Sequence, residues 1–230
     1  MKLKNSRILL TGGNGRLGLE LRRLLAAKKA TVYHPTRAEW DLSYGIFPPD
    51  ILVPRYLDLI IHTAAYTDVC GAEEDRYECV ATNIMGTELI SKFARHTETK
   101  LVHISSDYVT SHPLGFYAFT KLAAEAFPSP SDDMIVRTSF KPRGMWGPKA
   151  LDGVFHPVHT NGDWVDVIAE KIIDAIEKDL TGIVNIGTAD KTLKDLATQE
   201  YADVREIPVE TADELVGYHY PRDTRMELTI

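Results

Sequence analysis

The run Arg7–Leu19, RILLTGGNGRLGL, constrains this chain more than any other. Three apolar residues, Ile8, Leu9 and Leu10, lead into Thr11, and Gly12, Gly15 and Gly18 follow before the helical run Leu19–Leu25. The order is strand, glycine turn, helix. Glycine turns the backbone sharply and takes positive φ at little cost. Without a Cβ it lets a pyrophosphate approach backbone N–H groups, and the helix opening there aims unsatisfied donors and a positive dipole end at the phosphates. The third glycine permits close packing of helix on strand. The residues expected to line this turn are Thr11, Gly12, Asn14, Gly15, Arg16, Leu17 and Gly18.

The rest of the chain continues the pattern. Ala30–His34 reads as a second strand, and Asp58–His62 as a buried parallel strand ending in the small residues Ala64 and Ala65, then Tyr66. Small residues there leave room for a dinucleotide crossing the switch point of a doubly wound sheet. Sites that hold an unphosphorylated ribose carry an acid at the end of the second strand. Here that place reads His34-Pro35-Thr36-Arg37. Arg37 either meets a 2′-phosphate, assisted by Arg16, or is a solvated surface charge. Asp41 and Leu42 are expected along the adenine edge. Residues 73–96 have helical spacing, with Val80, Ile84, Leu89, Ile90 and Phe93 as the apolar set. Leu101–Ser106, Met134–Arg137 and Ile183–Gly187 supply further strands, and 164–180 an amphipathic helix with Asp163 as N-cap. His62 reads as an interior histidine.

Ser106 closes the strand Leu101–Ser106, and Tyr117 and Lys121 lie one helical turn apart on one face. Those three side chains can reduce a carbonyl. A tyrosine, with its ordinary pKa near 10, holds a proton to donate, and an ammonium beside it lowers that value toward neutrality. The serine hydroxyl holds the oxygen on which charge develops. Ser105 is the alternative serine, and Tyr108 a competing tyrosine without a lysine four residues on.

Thr-Gly-x-x-Gly-x-x-Gly followed by Tyr-x-x-x-Lys resembles the short-chain dehydrogenase/reductase superfamily, and Asn83-Ile84-Met85-Gly86-Thr87 resembles its extended members. Ala64–Thr67, Ser106–Val109, Tyr117–Lys121, Val136–Phe140 and Pro221–Met226 are similar to the dTDP-4-dehydrorhamnose reductase branch. The resemblance implies NADP(H)-dependent reduction of a 4-keto group on a nucleotide-activated sugar, with NAD(H) as the other cofactor. It assigns catalysis to Ser106, Tyr117 and Lys121, and implies a homodimer pairing the 73–96 and Tyr117 helices. Two rivals stand beside it: a nucleotide-sugar 4-epimerase or dehydratase with retained NAD, and a non-catalytic NADP-binding regulatory subunit. The stretch from Thr110 to Gly115 is shorter than that branch carries, and so is the whole chain.

The expected fold is therefore one α/β, Rossmann-like, doubly wound parallel sheet spanning residues 1–230, with 141–161 and 200–230 as a small substrate lobe. Lys141, Arg143 and Lys149 are candidates to neutralise a nucleotide diphosphate, or form a solvated basic loop. A net charge of −7 argues against a general nucleic-acid surface. No apolar run reaches the ~20 residues of a membrane span. Cys70 and Cys79 make neither a disulfide framework nor a zinc site, and His156 with His159 lacks a third ligand, so no metal is expected. Met1–Ser6 carries no secretory pattern, and the cytoplasm is the expected compartment.

Overall fold

The structure, a computed structural model, describes residues 1–110, 115–144, 154–156, 158–201, 204, 206–208, 221 and 223–230. Five strands, β1 (Arg7–Thr11), β2 (Thr31–Tyr33), β3 (Leu59–His62), β4 (Leu101–Ile104) and β5 (Met134–Arg137), join the edge strand Gly182–Asn185 in one sheet. Its order runs from Gly182–Asn185 through β5, β4, β3 and β1 to β2, with every pair parallel. The chain goes from β1 outward to β2, then back across to β3, so the direction of winding reverses between β1 and β3. Ligands in such sheets bind beyond the carboxyl ends of the strands at that reversal.

Alternation explains why these strands read as unbroken apolar runs. Ile8, Leu10, Leu59 and Ile61 point to one face, against α1 (Arg16–Ala27) and α6 (Val165–Glu177). Leu9 and Ile60 point to the other, against Trp40, Leu89, Ile90 and Phe93. A strand covered on both faces buries every residue. Each such side chain contributes about 1.5–3 kcal/mol on leaving water.

The helix expected across 73–96 is interrupted. It is built as α2 (Gly71–Glu74), α3 (Arg76–Val80), a π-helical turn at Ala81–Met85 and α4 (Gly86–His96). Asp75 leaves helical geometry, at φ −101° and ψ 62°, and its carboxylate accepts from the Glu78 N–H at 3.2 Å, starting a fresh helix. The wide turn carries Asn83, whose amide bonds both polar groups of the Tyr66 peptide. A buried side chain that captures distant backbone in this way outweighs regular i→i−4 bonding.

The expected N-cap of α6 is also replaced. Trp164 occupies that position without a side-chain cap. Asp163 lies before it, taking Thr188 Oγ1 at 2.6 Å and Lys191 Nζ at 3.0 Å on one carboxylate oxygen and the Trp164 N–H at 2.7 Å on the other, so neither oxygen serves a first-turn donor of the helix. Beyond β5, apart from the edge strand Gly182–Asn185, the described residues form short ladders: Phe140–Lys141 with Asp163–Trp164, Val154–His156 with Glu206–Pro208, and His159–Thr160 with Lys191–Thr192. No helix among the described residues is long and apolar enough to cross a membrane.

Candidate active site

A cleft of about 850 Å³ opens above the carboxyl ends of β1, β3, β4 and β5. Its floor near β1 is the glycine turn. Gly12 sits at φ +70°, and a Cβ there would lie 2.5 Å from Ala64 N. A Cβ on Gly18 would lie 2.2 Å from Gly12 O, whereas one on Gly15 would meet only that same oxygen, at 3.2 Å. Gly12 and Gly18 are thus required by packing, and Gly15 leaves a bare rim. It is also the N-cap of α1, which has no side-chain cap, so the first N–H groups of the helix are left for an anion. These residues fit a dinucleotide pyrophosphate. Thr11, Asn14, Arg16, Leu17, Arg37, Asp41, Leu42, Ala64 and Ala65 line the cleft with them.

Tyr66 is the exception. It does not line the cleft; its N–H and C=O are both taken by Asn83, at 2.8 and 3.2 Å, which turns the residue toward α2. There its phenol would lie 2.7 Å from a Cβ on Gly71. Arg143 is likewise drawn away: it pairs with Asp166 at 3.0 Å and Glu200 at 3.4 Å and lies over the Trp164 ring. Lys141 does line the cleft. Lys149 and the side chain of His156 fall outside the described residues, as do 111–114 of the short segment before Tyr117.

Ser106, Tyr117 and Lys121 all face the cleft at its inner end. Tyr117 and Lys121 project from one face of α5 (Phe116–Ala124). Lys121 is 2 % exposed and donates from Nζ to Ile104 O at 2.7 Å, which ties α5 to the end of β4. Burial lowers its pKa to about 8, with Glu125 opposing the shift. Tyr108 meets Tyr117 edge-to-face, centroids 6.3 Å apart, and forms part of the wall. The two serines divide. Ser105 Oγ donates to Glu125 at 2.6 Å, and Glu125 is held by Arg137 at 2.7 Å. Ser106 Oγ accepts from Tyr108 N at 3.2 Å, and its nearest acceptor, Asp107, is 3.4 Å away.

Beneath Lys121 two imidazoles stack, His62 and His103, with centroids 5.4 Å apart. His62 is interior, as expected, bonded to Thr11 Oγ1 at 2.6 Å and Thr87 Oγ1 at 3.1 Å. Burial, then the Lys121 charge, pushes it down to about 3, and His103 falls well below its ordinary value for the same reasons. Asp107 was not singled out from sequence. It is wholly buried, accepts from Ser139 Oγ at 2.7 Å, and is pushed up by burial. The only trace of it in the sequence is its place between Ser106 and Tyr108.

A doubly wound sheet with a glycine turn at its switch point and a Ser-Tyr-Lys group beside it defines a Rossmann-like α/β architecture. Residues 6–141, more than half the chain, match the family described as the RmlD substrate binding domain, and the chain belongs to that family. It is 28% identical over 190 residues to the dTDP-4-dehydrorhamnose reductase of Mycobacterium tuberculosis, covering 73% of this chain and 60% of that protein. The chain thus spans about three fifths of that relative. Among solved structures it is similar to the dTDP-4-dehydrorhamnose reductase of Bacillus anthracis in complex with NADP, with TM-score 0.80, 20% identity, and coverage of 98% and 91% of the two chains. It is also similar to a hypothetical dTDP-4-dehydrorhamnose reductase from Sulfolobus tokodaii, with TM-score 0.79, 26% identity, and coverage of 95% and 91%.

Proposed function

We propose that the protein reduces the 4-keto group of a nucleotide-activated sugar with NADP(H), NAD(H) being accepted more weakly. The observation that carries this reading is the Lys121 ammonium, buried against the end of β4 and one turn from Tyr117 in a cleft floored by the glycine turn. When bound, the nicotinamide supplies the hydride. Tyr117 Oη gives its proton to the carbonyl oxygen. Lys121 Nζ favours the phenolate that is left, and the low dielectric around it strengthens that effect. Ser106 Oγ accepts from Tyr108 N, and its own proton has only a long contact with Asp107 among the described residues, so it can be given to the carbonyl oxygen while charge develops. Ser105, committed to Glu125, has no such freedom. The substrate lobe in this reading is 141–161 with 200–230. Cys70 and Cys79 are not joined in a disulfide, which suits a cytoplasmic setting.

A homodimer belongs to the same reading. Tyr77, Met85, Phe119 and Leu122 are apolar and exposed, and they lie on α3, the π turn and α5, the elements expected to pair. Light scattering at micromolar concentration should give twice the chain mass, and a monomer refutes the pairing. The enzyme reading is tested by NADPH oxidation over a panel of 4-keto nucleotide sugars. Turnover of at least one is expected. A protein that binds NADPH and turns over none is the regulatory subunit instead.

A further inference from the structure

At the outer end of the cleft Arg37 is already occupied. Its Nε donates to Asp41 Oδ2 at 3.0 Å, and a terminal amine donates to Glu78 Oε1. The neighbouring donors are occupied too. Thr36 gives both its N–H and its hydroxyl to Glu39, each at 2.8 Å, and Ser43 gives both of its own to Asp41, at 2.9 and 2.7 Å. Two carboxylates, Asp41 and Glu78, thus hold one guanidinium where the 2′-position of an adenine ribose would lie, with Glu39 bound to the adjacent Thr36. His34 lies close enough to Glu39 to favour its charged form.

The two partners of Arg37 are not equivalent. Asp41 is four residues on and caps the turn Leu42–Tyr44 through Ser43, so it is held whether or not Arg37 is present. Glu78 comes from another element, α3, and among the described residues its carboxylate has besides Arg37 only a 3.4 Å contact from Thr82 Oγ1. It is aimed by the interruption at Asp75, which starts α3 and binds the Glu78 N–H. An arriving phosphate dianion therefore has to displace Glu78 from the guanidinium, or share that guanidinium against like-charge repulsion. A ribose bearing only hydroxyls has neither requirement.

We propose that Glu78 is a specificity-determining residue, competing with a ligand 2′-phosphate for Arg37 and so holding down the preference for NADPH over NADH. The proposal rests on the dinucleotide reading above, and extends it to a residue outside the cleft lining. The expected effect is that of one exposed charge contact, a few-fold and not orders of magnitude.

Titrations of the 230-residue chain with NADPH and NADH, and with adenosine 2′,5′-bisphosphate and 5′-AMP as fragments, provide the test. Glu78→Gln should raise the NADPH to NADH affinity ratio roughly 3- to 10-fold, through NADPH alone, and shift the fragment ratio the same way. Arg37→Ala should lower the ratio, and the double variant should match Arg37→Ala, because the competition has then lost its object. Glu78→Ala should behave as Glu78→Gln does. A ratio unchanged by Glu78→Gln in a protein that binds both dinucleotides overturns the proposal alone. Equal weakening of both dinucleotides also overturns it, since that marks a structural role. A wild type that binds neither dinucleotide overturns the function proposed above and this inference with it.

Discussion

The two ends of the cleft are built on opposite electrostatic terms. At the inner end one ammonium, Lys121, is buried against a backbone carbonyl over two neutral imidazoles. At the outer end one guanidinium, Arg37, is two-thirds exposed and paired with two carboxylates. Charges interact strongly in a dry interior and weakly at a wet surface. The inner end is thus where a proton is worth moving, and the outer end where one ligand is told from another by small margins. Substitutions should follow that gradient: large losses of rate inside, few-fold changes of affinity outside.

The strongest break is Tyr117→Phe, which removes the proton and keeps the ring. Turnover of a 4-keto nucleotide sugar should fall roughly 10²–10⁴-fold, the range for loss of a general acid. NADPH affinity, measured by fluorescence titration, should change less than about twofold, because the ring still packs on Tyr108. A variant as active as wild type would falsify the catalytic assignment.

Lys121→Met should follow, at about 10²-fold in turnover, with weaker cofactor binding as well. The pH profile sharpens this. Burial sets Lys121 near 8, so wild-type turnover should fall as pH rises through about 8, where the ammonium is lost. With methionine there the falling limb should move up toward the ordinary tyrosine value near 10. A limb that stays near 8 in the variant assigns it to another group.

The glycine turn between the two ends gives a stability comparison. Gly18→Ala places a Cβ 2.2 Å from Gly12 O, so the turn and α1 must separate. Overpacking of that kind costs about 1–3 kcal/mol. Gly15→Ala has only one contact to accommodate, at 3.2 Å, and no positive φ. Chemical denaturation should show a loss for Gly18→Ala and less than about 0.5 kcal/mol for Gly15→Ala, as for ordinary surface changes, while both weaken NADPH binding. Equal stability losses would mean that packing does not distinguish the two glycines.

What was legible in the sequence followed short-range rules. The strands showed as apolar runs because both faces are covered, and the cradle and the Tyr117–Lys121 face showed because each is set by a fixed local spacing. What was hidden depends on distant partners. The π-helical turn within the 73–96 stretch carries Asn83, which reaches Tyr66, 17 residues away, and Thr120, 37 away. Arg37 meets Glu78 across 41 residues, and Arg143 is pulled from the cleft in part by Glu200, 57 residues on. The Asn83 contact turns Tyr66 from the cleft where it was expected, and the Asp166 and Glu200 pairs decide between the two readings left open for Arg143 by holding it away. No periodicity records such encounters.

The smallest effect lies under the inner end and is a matter of stability. Neither ring nitrogen of His103 has a hydrogen-bond partner among the described residues, although the side chain is wholly buried. Burial, the Lys121 charge and His62 all disfavour its cation. The folded state therefore binds no proton there at a pH where the unfolded chain, with an ordinary histidine near 6.5, already does. Stability should be full above about pH 6.5 and decline as pH falls below it. His103→Phe keeps a ring to stack on His62 and removes the titrating group. Its unfolding free energy at pH 7 should be within about 1 kcal/mol of wild type, because two unpaired nitrogens are lost with the ring. Between pH 6.5 and 5 its decline should be shallower, by up to about 1.4 kcal/mol per pH unit for one proton. Urea unfolding at pH 7, 6 and 5 measures both quantities. Parallel curves for the two proteins would show that His103 is as protonatable folded as unfolded, and that the floor beneath Lys121 is wet.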